Sequence, residues 1–60
     1  MNKEDAEKYL NKNVVIFLKR GLKWTGEILS VNENSVDVLD KFNNPATISL
    51  EDISVINQEG

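Results

Sequence analysis

Few side chains in this sequence could do chemistry, and their types favour binding over catalysis. The 60 residues include no Cys and no His, which removes the commonest metal ligands and proton carriers. Four carboxylates could hold a metal or act as an acid/base set, but they have no recognisable ligand spacing: Asp37, Asp40, Glu51 and Asp52. We interpret them as solvated strand faces and expect no enzymatic activity, no metal, no cofactor and no small-molecule substrate.

A basic cluster is a second candidate site. Lys19, Arg20 and Lys23 lie within five residues and could contact phosphates, although charged turns are ordinary on protein surfaces. The net charge of −3 argues against indiscriminate capture of nucleic acid by long-range attraction. Because charges more than about 8 Å apart are largely screened at physiological salt, a local basic cluster can still act on an acidic protein.

Aromatic and amide side chains offer a third set of contacts. Trp24 could stack on a base, but we favour packing in the core or at a subunit interface, where a Trp contributes most area. Phe42 could either cap one end of the fold or offer a surface for stacking. Asn32 and Asn34 could hydrogen-bond base edges, and a tight turn alone also explains them.

The elements that position these side chains are predicted to be one short helix and five strands. Asn2 can cap a helix whose first turn is acidic, so residues 2–12 form the predicted N-terminal helix segment. The helix itself is expected over residues 2–10, with its exit from Asn11, because Asn tolerates the left-handed conformation that ends helices. Stretches rich in β-branched and aromatic residues then predict strands at 14–18, 22–31, 36–42, 46–50 and 53–57. Residues 58–60 are predicted to be a loose tail.

Alternation within the first predicted strand leaves two large groups without cover. Val14, Ile16 and Leu18 face the core, so Val15 and Phe17 face the other way. We expect the helix or a neighbouring chain to shield both side chains.

Five short antiparallel strands over residues 13–57 cannot make two separate sheets. They predict a mainly β fold in which one strongly bent, five-stranded barrel follows the helix. Gly26, in the middle of the long second strand, is the expected bend. The whole chain, residues 1–60, is then a single domain.

The length of the chain predicts self-association. A domain of this size buries only about 60% of the surface that its unfolded chain exposes, and no disulfide or metal can support the core. Oligomerisation is the support that remains. The longest apolar run, residues 14–18, is far below the roughly 20 residues of a membrane helix. We expect no membrane contact and, because Cys is absent, a cytoplasmic location.

Two segments carry a family resemblance. Residues 13–39 resemble the first Sm motif, with the basic turn Leu18-Lys19-Arg20-Gly21 followed by a second glycine, Gly26. Residues 48–53 fall where the second motif of Sm, Lsm and Hfq proteins falls. The resemblance implies a ring, commonly of six or seven chains, in which the fourth and fifth strands pair with neighbouring subunits. It therefore adds Ile48, Leu50 and Val55 to Val15 and Phe17 as subunit-interface residues.

The uridine pocket implied by the resemblance is altered here. Asn32 occupies the position of the family's Asp, and Asn34 that of its base-stacking residue. The family's Asn falls on Val36, or on Asp37 if the turn is one residue longer, and we prefer Asp37 because Val36 and Val38 then both face inward. Ser49 and Leu50 replace the family's Arg-Gly pair, and Glu51-Asp52 stands where Hfq proteins have Lys-His.

The resemblance and the residues together lead to two hypotheses. The first is a ring-forming Sm-like protein that binds single-stranded RNA weakly or through an altered pocket. Its predicted RNA-binding residues are Lys19, Arg20, Lys23, Asn32, Asn34, Asp37 and Ser49. The alternative is a small barrel for protein–protein assembly from which RNA binding has been lost.

Overall fold

The N-terminal helix is short, and its start is where the sequence predicts it. A computed structural model describes residues 1–59, in which α1 spans Lys3–Glu7. The Asn2 side chain accepts a hydrogen bond of 2.9 Å from the Asp5 amide, which satisfies one of the helix's first free donors. Ala6 is fully buried in the core, so α1 packs on the inner face of the fold.

The helix ends earlier than predicted because the chain beyond it pairs with a strand. Leu10 forms a parallel bridge with Ile28, and the Asn11 amide donates a hydrogen bond of 2.8 Å to the Ile28 carbonyl. Asn11 has φ 63°, a left-handed conformation that Asn tolerates well. The helix thus ends before the predicted residue 10, since tertiary pairing replaces its last turn, whereas the left-handed exit at Asn11 is as predicted.

Five antiparallel strands follow and form one open sheet. They are β1 Asn13–Leu18, β2 Lys23–Val31, β3 Ser35–Asp40, β4 Pro45–Ser49 and β5 Ile53–Gln58, with a 3₁₀ turn at Leu50–Asp52. Their order in the sheet is β4-β3-β2-β1-β5, so β4 and β5 are the two edges. The prediction of a mainly β fold with a short N-terminal helix is confirmed.

The C-terminal segment is held more tightly than predicted. Gln58, assigned to a loose tail, is the last residue of β5 and lies opposite Val14. The Glu59 amide donates a hydrogen bond of 2.9 Å to the Asn13 carbonyl, which extends the same ladder. Gly60, the rest of that predicted tail, lies outside the described residues.

The core lies on the inner face of the sheet and follows the predicted alternation. Val14 and Ile16 are fully buried, whereas Val15 is half-buried and Phe17 is exposed on the outer face. Trp24 packs against the core from β2. The buried hydrophobic residues are Ala6, Val14, Ile16, Ile28, Val36, Val38, Leu50, Ile53 and Ile56.

The long strand β2 changes its partner at Gly26 and Glu27. Its first half pairs with β1 and its second half with β3, and these two residues pair with both. The register is irregular between Ile28 and Ser30, which places a bulge at Leu29, three residues beyond Gly26. A Cβ atom at Gly26 would overlap the Leu39 carbonyl oxygen and the Trp24 ring. Glycine is therefore required here for close packing.

Substituting Gly26 should destabilise the fold through this overlap. For Gly26→Val we expect a loss of about 1–3 kcal/mol or more, the usual effect of overpacking a core site. The midpoint of urea unfolding, followed by Trp24 fluorescence, measures the loss. Gly21 is the matched control, since it has φ 88° with open space around it and tests backbone conformation alone. Gly21→Asn should cost little because Asn tolerates this conformation, and an unchanged midpoint for Gly26→Val would contradict the packing explanation.

Candidate functional site

A carboxylate at the centre of β3 links three strands on the outer face. Asp37 Oδ2 accepts hydrogen bonds of 2.8 Å from the Ser30 hydroxyl and 3.2 Å from the Asn32 amide. Its Oδ1 accepts one of 2.8 Å from the Thr47 hydroxyl. These bonds hold the pKa of the Asp37 carboxyl below its ordinary value, the one from Thr47 most strongly, followed by those from Ser30 and Asn32.

Asn32 is committed to the same network. Its side-chain amide also donates to the Ser35 hydroxyl at 3.1 Å, so both amide hydrogens are engaged. Its backbone amide donates to the Ser35 carbonyl at 2.7 Å, which closes the β2–β3 turn. The structure thus brings together two predicted RNA-binding residues, Asn32 and Asp37, by bonding them to each other.

Asn34 lies in the β2–β3 turn, and Ser49, the last residue of β4, lies next to that turn. Ser49 is opposite Ser35 in the ladder, and the Asn34 carbonyl accepts a hydrogen bond of 2.9 Å from the Leu50 amide. Both residues are exposed. They are therefore close to the Asp37 network, and neither side chain has a hydrogen bond within the part of the chain that the structure describes.

The surroundings of Asn34 carry more negative than positive charge. An open depression of about 530 Å³ is lined by Asn2, Lys3, Glu4, Glu33, Asn34 and Leu50. Lys3 Nζ lies 3.6 Å from Glu33 Oε2, so the one cation of the lining is already paired. Because Lys3 is paired with Glu33 and Glu4 adds a second carboxylate, this depression offers no unpaired cation to a phosphate chain.

One predicted interface residue belongs to the core. Leu50 is only 4% exposed, because the 3₁₀ turn Leu50–Asp52 folds its side chain beneath the sheet. Its assignment to a subunit interface is therefore wrong. Ile48, also predicted for an interface, is half-buried and packs against the core at the open edge of β4.

The basic cluster occupies a separate, well-ordered turn between β1 and β2. The Leu18 amide donates to the Leu22 carbonyl at 2.8 Å, and the Lys19 amide donates to the Asp52 carbonyl at 2.8 Å. Lys19, Arg20 and Lys23 are exposed, and none of them forms an ion pair among residues 1–59. The predicted RNA-binding residues thus fall into two groups, the basic turn and the Asp37 hairpin.

An apolar patch lies on the outer face of β1 and β5. Phe17 is 36% exposed and pairs directly with Val55, which is 43% exposed. Val15 lies on the same face, two residues before Phe17. Because α1 packs on the inner face, the helix does not cover this patch, and of the two predicted covers only a neighbouring chain remains.

The free backbone groups of β4 can be derived from the hydrogen bonds at its end. The Leu50 amide bonds to the Asn34 carbonyl, and bonded residues alternate along an antiparallel ladder. Ala46 and Ile48 therefore bond to β3. The groups that point away from the sheet belong to Pro45, Thr47 and Ser49. Pro45 has no amide hydrogen, so no donor is left unpaired at this outward position, as expected for proline on an edge strand.

The free groups of β5 follow in the same way. The Glu59 amide donates a hydrogen bond to the Asn13 carbonyl. Because bonded pairs alternate along an antiparallel ladder, the backbone groups of Asn57 and Val55 also bond to β1, opposite Val15 and Phe17. The groups that point outward belong to Ile56 and Gln58. On β4 the outward groups are carried by residues of the outer face, and on β5 by residues of the inner face.

Comparison with known proteins gives no further identification. No protein-family model and no curated protein sequence matches the chain. Among residues 1–59, no group of three His, Cys, Asp or Glu side chains could hold a metal ion. No helix within these residues is long and apolar enough to cross a membrane.

Sequence reasoning missed two partners of Asp37 and one bracing residue. Ser30 and Thr47 lie opposite Asp37 in the two ladders, so only the register reveals them. The sequence predicts Asp40 to be a solvated carboxylate, yet its Oδ1 accepts hydrogen bonds from the amides of Phe42 and Asn44. An Asp at the end of a strand and before a turn was the available signal.

The Asp37 network should make stability depend on pH in the acid range. The lowered pKa of Asp37 means that its contribution is complete above the unfolded-state value of about 3.9 and is lost as pH falls through the folded-state value. The urea midpoints of the natural chain and Asp37→Asn should therefore differ at pH 7 and approach each other as the pH falls below about 3.9. Glu51→Gln, which removes an exposed charge, is the control. A difference that persists unchanged in acid would refute this role.

Proposed function

We propose that this chain is an Sm-like assembly module whose copies join edge to edge into a closed ring of six or seven chains, without a catalytic step. The observation that carries the proposal is the uncovered apolar patch of Phe17 and Val55 beside the free edge of β5. A patch of this kind next to an unpaired edge favours pairing with another chain.

The composition of the two edges supports the same role. Proteins that stay monomeric protect their edge strands with lysines, prolines, bulges or inward charges. Neither β4, with the sequence PATIS, nor β5, with the sequence ISVINQ, carries a charged residue. Pro45 protects only the first position of β4. The register shift between Phe17 and Leu18 places a bulge at the start of β5, so the two edges are open to strand addition over residues 46–49 and 55–58.

The free backbone groups restrict how β4 of one copy can pair with β5 of the next. In an antiparallel ladder the outward residue Thr47 must lie opposite an outward residue of β5. Placing Thr47 opposite Ile56 sets Ile48 beside Val55, so that two β-branched side chains meet. The half-buried edge of one core would then cover the Phe17 and Val55 patch of its neighbour.

The contact is head to tail, because β4 and β5 are different surfaces. A contact between unlike surfaces builds a ring if its rotation closes and a filament if it does not. We propose closure, since a ring leaves no β edge exposed. We place the assembly in the cytoplasm, because the chain has no Cys for an oxidising compartment.

The assembly can be tested by the mass of the protein in solution. Light scattering of the natural chain should give several times the 6.8 kDa of one chain, and Phe17→Asp should lower this value because it places a charge in the contact. Leu22→Asp is the matched control, since Leu22 is 58% exposed and lies in the β1–β2 turn. A natural chain of monomeric mass would contradict the proposal.

Cysteine pairs test the register even if Phe17→Asp fails to fold. The chain has no Cys, so Ile48→Cys combined with Val55→Cys can report only the new pair. Residues directly opposite across a non-bonded position have Cα atoms about 4.5 Å apart, which suits a disulfide. Mild oxidation should give a ladder of covalent multimers. Ile48→Cys combined with Asn57→Cys is the control, because these residues would be opposite each other only in a register shifted by two residues. This pair should give no covalent multimers.

A second role, weak binding of single-stranded RNA, is favoured by the basic turn. Lys19, Arg20 and Lys23 are exposed and unpaired among the described residues, whereas the Asp37 hairpin uses its own donors. A serine at position 49 supplies neither the charge nor the planar donors of an arginine. Binding should therefore depend on charge.

A salt titration tests this second role. For single strands, each neutralised phosphate contributes about −0.7 to the slope of log affinity against log salt. Replacing Lys19, Arg20 and Lys23 together by Gln should make the slope for a uridine hexamer less steep by about 2. Lys8→Gln is the control, since Lys8 is exposed and 3.7 Å from Asp5. Tight, salt-resistant and uridine-selective binding would contradict this account.

A further inference from the structure

The turn between β3 and β4, residues 41–44, presents the most exposed large hydrophobic side chain of the described residues. Phe42 is 72% exposed, so it does not cap the end of the fold. The Nζ atom of Lys41 lies over its ring, 5.4 Å from the centroid. From this pairing we infer that the turn is a binding site for single-stranded nucleic acid, with a base stacked on Phe42 and a phosphate at Lys41.

Hydrogen bonds within the chain brace the turn without any ligand. Asp40 Oδ1 accepts hydrogen bonds of 2.8 Å from the Phe42 amide and 2.9 Å from the Asn44 amide. Two backbone hydrogen bonds add to these: the Asp40 amide donates to the Asn44 carbonyl at 3.1 Å, and the Asn43 amide donates to the Asp40 carbonyl at 3.0 Å. Asn43 completes the reversal with φ 64°. Because the backbone under the ring is already ordered, less entropy is lost when a base stacks on it.

The position of Lys41 leaves one face of the ring for the base. The ring's quadrupole attracts the ammonium group over one face, and because Phe42 is 72% exposed most of the remaining ring surface is open to a base. A base and its phosphate lie close enough along a strand to meet an aromatic ring and an adjacent cation together. The two side chains thus match the two chemical parts of a nucleotide.

The neighbours of Phe42 favour a nucleic acid over a protein partner. Protein interfaces rely on clusters of apolar anchors surrounded by side chains that exclude water. Next to Phe42 in the turn are Lys41, Asn43 and Asn44, all polar and exposed. The other exposed hydrophobic side chains, such as Phe17 and Val55, lie on different elements. A lone ring with a cation and amides suits base stacking.

Charge around the turn indicates that stacking must provide most of the affinity. Lys41 lines a cleft of about 470 Å³ together with Asp40, Glu27 and Glu59. These carboxylates offset the attraction of Lys41 for phosphate. Binding at this turn should therefore depend less on salt than binding at the basic turn of Lys19, Arg20 and Lys23.

Fluorescence anisotropy with labelled uridine and thymidine hexamers tests the site in the full chain. Phe42→Ala should weaken binding of both hexamers by about 5-fold to 150-fold, the range for one stacked base, at low and at high salt. Phe42→Trp should keep the affinity, because it keeps a stacking surface. Lys41→Gln should make the salt slope less steep by about 0.7.

Two controls keep the outcomes distinct. In the variant with Gln at positions 19, 20 and 23, Phe42→Ala should still weaken binding of the hexamers. This result would separate the contribution of the Phe42 turn from that of the basic turn. Thermal unfolding should be unchanged by Phe42→Ala, since the side chain is exposed. Unaltered hexamer affinity in Phe42→Ala, a loss for one hexamer only, or no binding by the natural chain would overturn the inference. A change in solution mass without a change in affinity would show a contact between copies instead.

Discussion

The fold depends on one close approach, at the point where β2 passes from β1 to β3. Gly26 and Glu27 pair with both neighbours, and the Trp24 ring and the Leu39 carbonyl occupy the space that a side chain at Gly26 would need. This contact allows five strands of a 60-residue chain to share one inner face. Nine hydrophobic side chains are buried there, so a small core depends on one missing Cβ.

The same arrangement leaves backbone groups unpaired at both edges of the sheet and apolar side chains uncovered on its outer face. With β2 at the centre and β4 and β5 outermost, the backbone groups of Thr47 and Ile56 point away from the sheet. The outer patch of Phe17 and Val55 lies next to one of these edges. Open edges and an uncovered patch are costly for a monomer and useful for an oligomer, which connects the small size of the core to the proposed assembly.

Sequence reasoning found what depends on local pattern and missed what depends on register. The alternation of Val14, Val15 and Ile16 correctly separates the inner from the outer face, and Asn2 caps the helix as predicted. The helix end was wrong because Leu10 bridges to Ile28, a partner 18 residues away. The partners of Asp37 and the burial of Leu50 likewise arise from strands that meet only after folding.

Hydrogen bonding is also the reason why we propose recognition at the turns and not at the hairpin that the family resemblance indicates. A side chain can read a base only with donors and acceptors that the fold does not already use. In the β2–β3 hairpin, both amide hydrogens of Asn32 and both oxygens of Asp37 hold strands together. The turns differ, because Asp40 uses its carboxylate on backbone amides and leaves the Phe42 ring exposed. In the β3–β4 turn, the Asp40 carboxylate binds backbone amides and leaves the side chains of Lys41 and Phe42 available to a ligand. In the β2–β3 hairpin, the side chains of Asn32 and Asp37 bind other side chains of the fold and contribute to its stability.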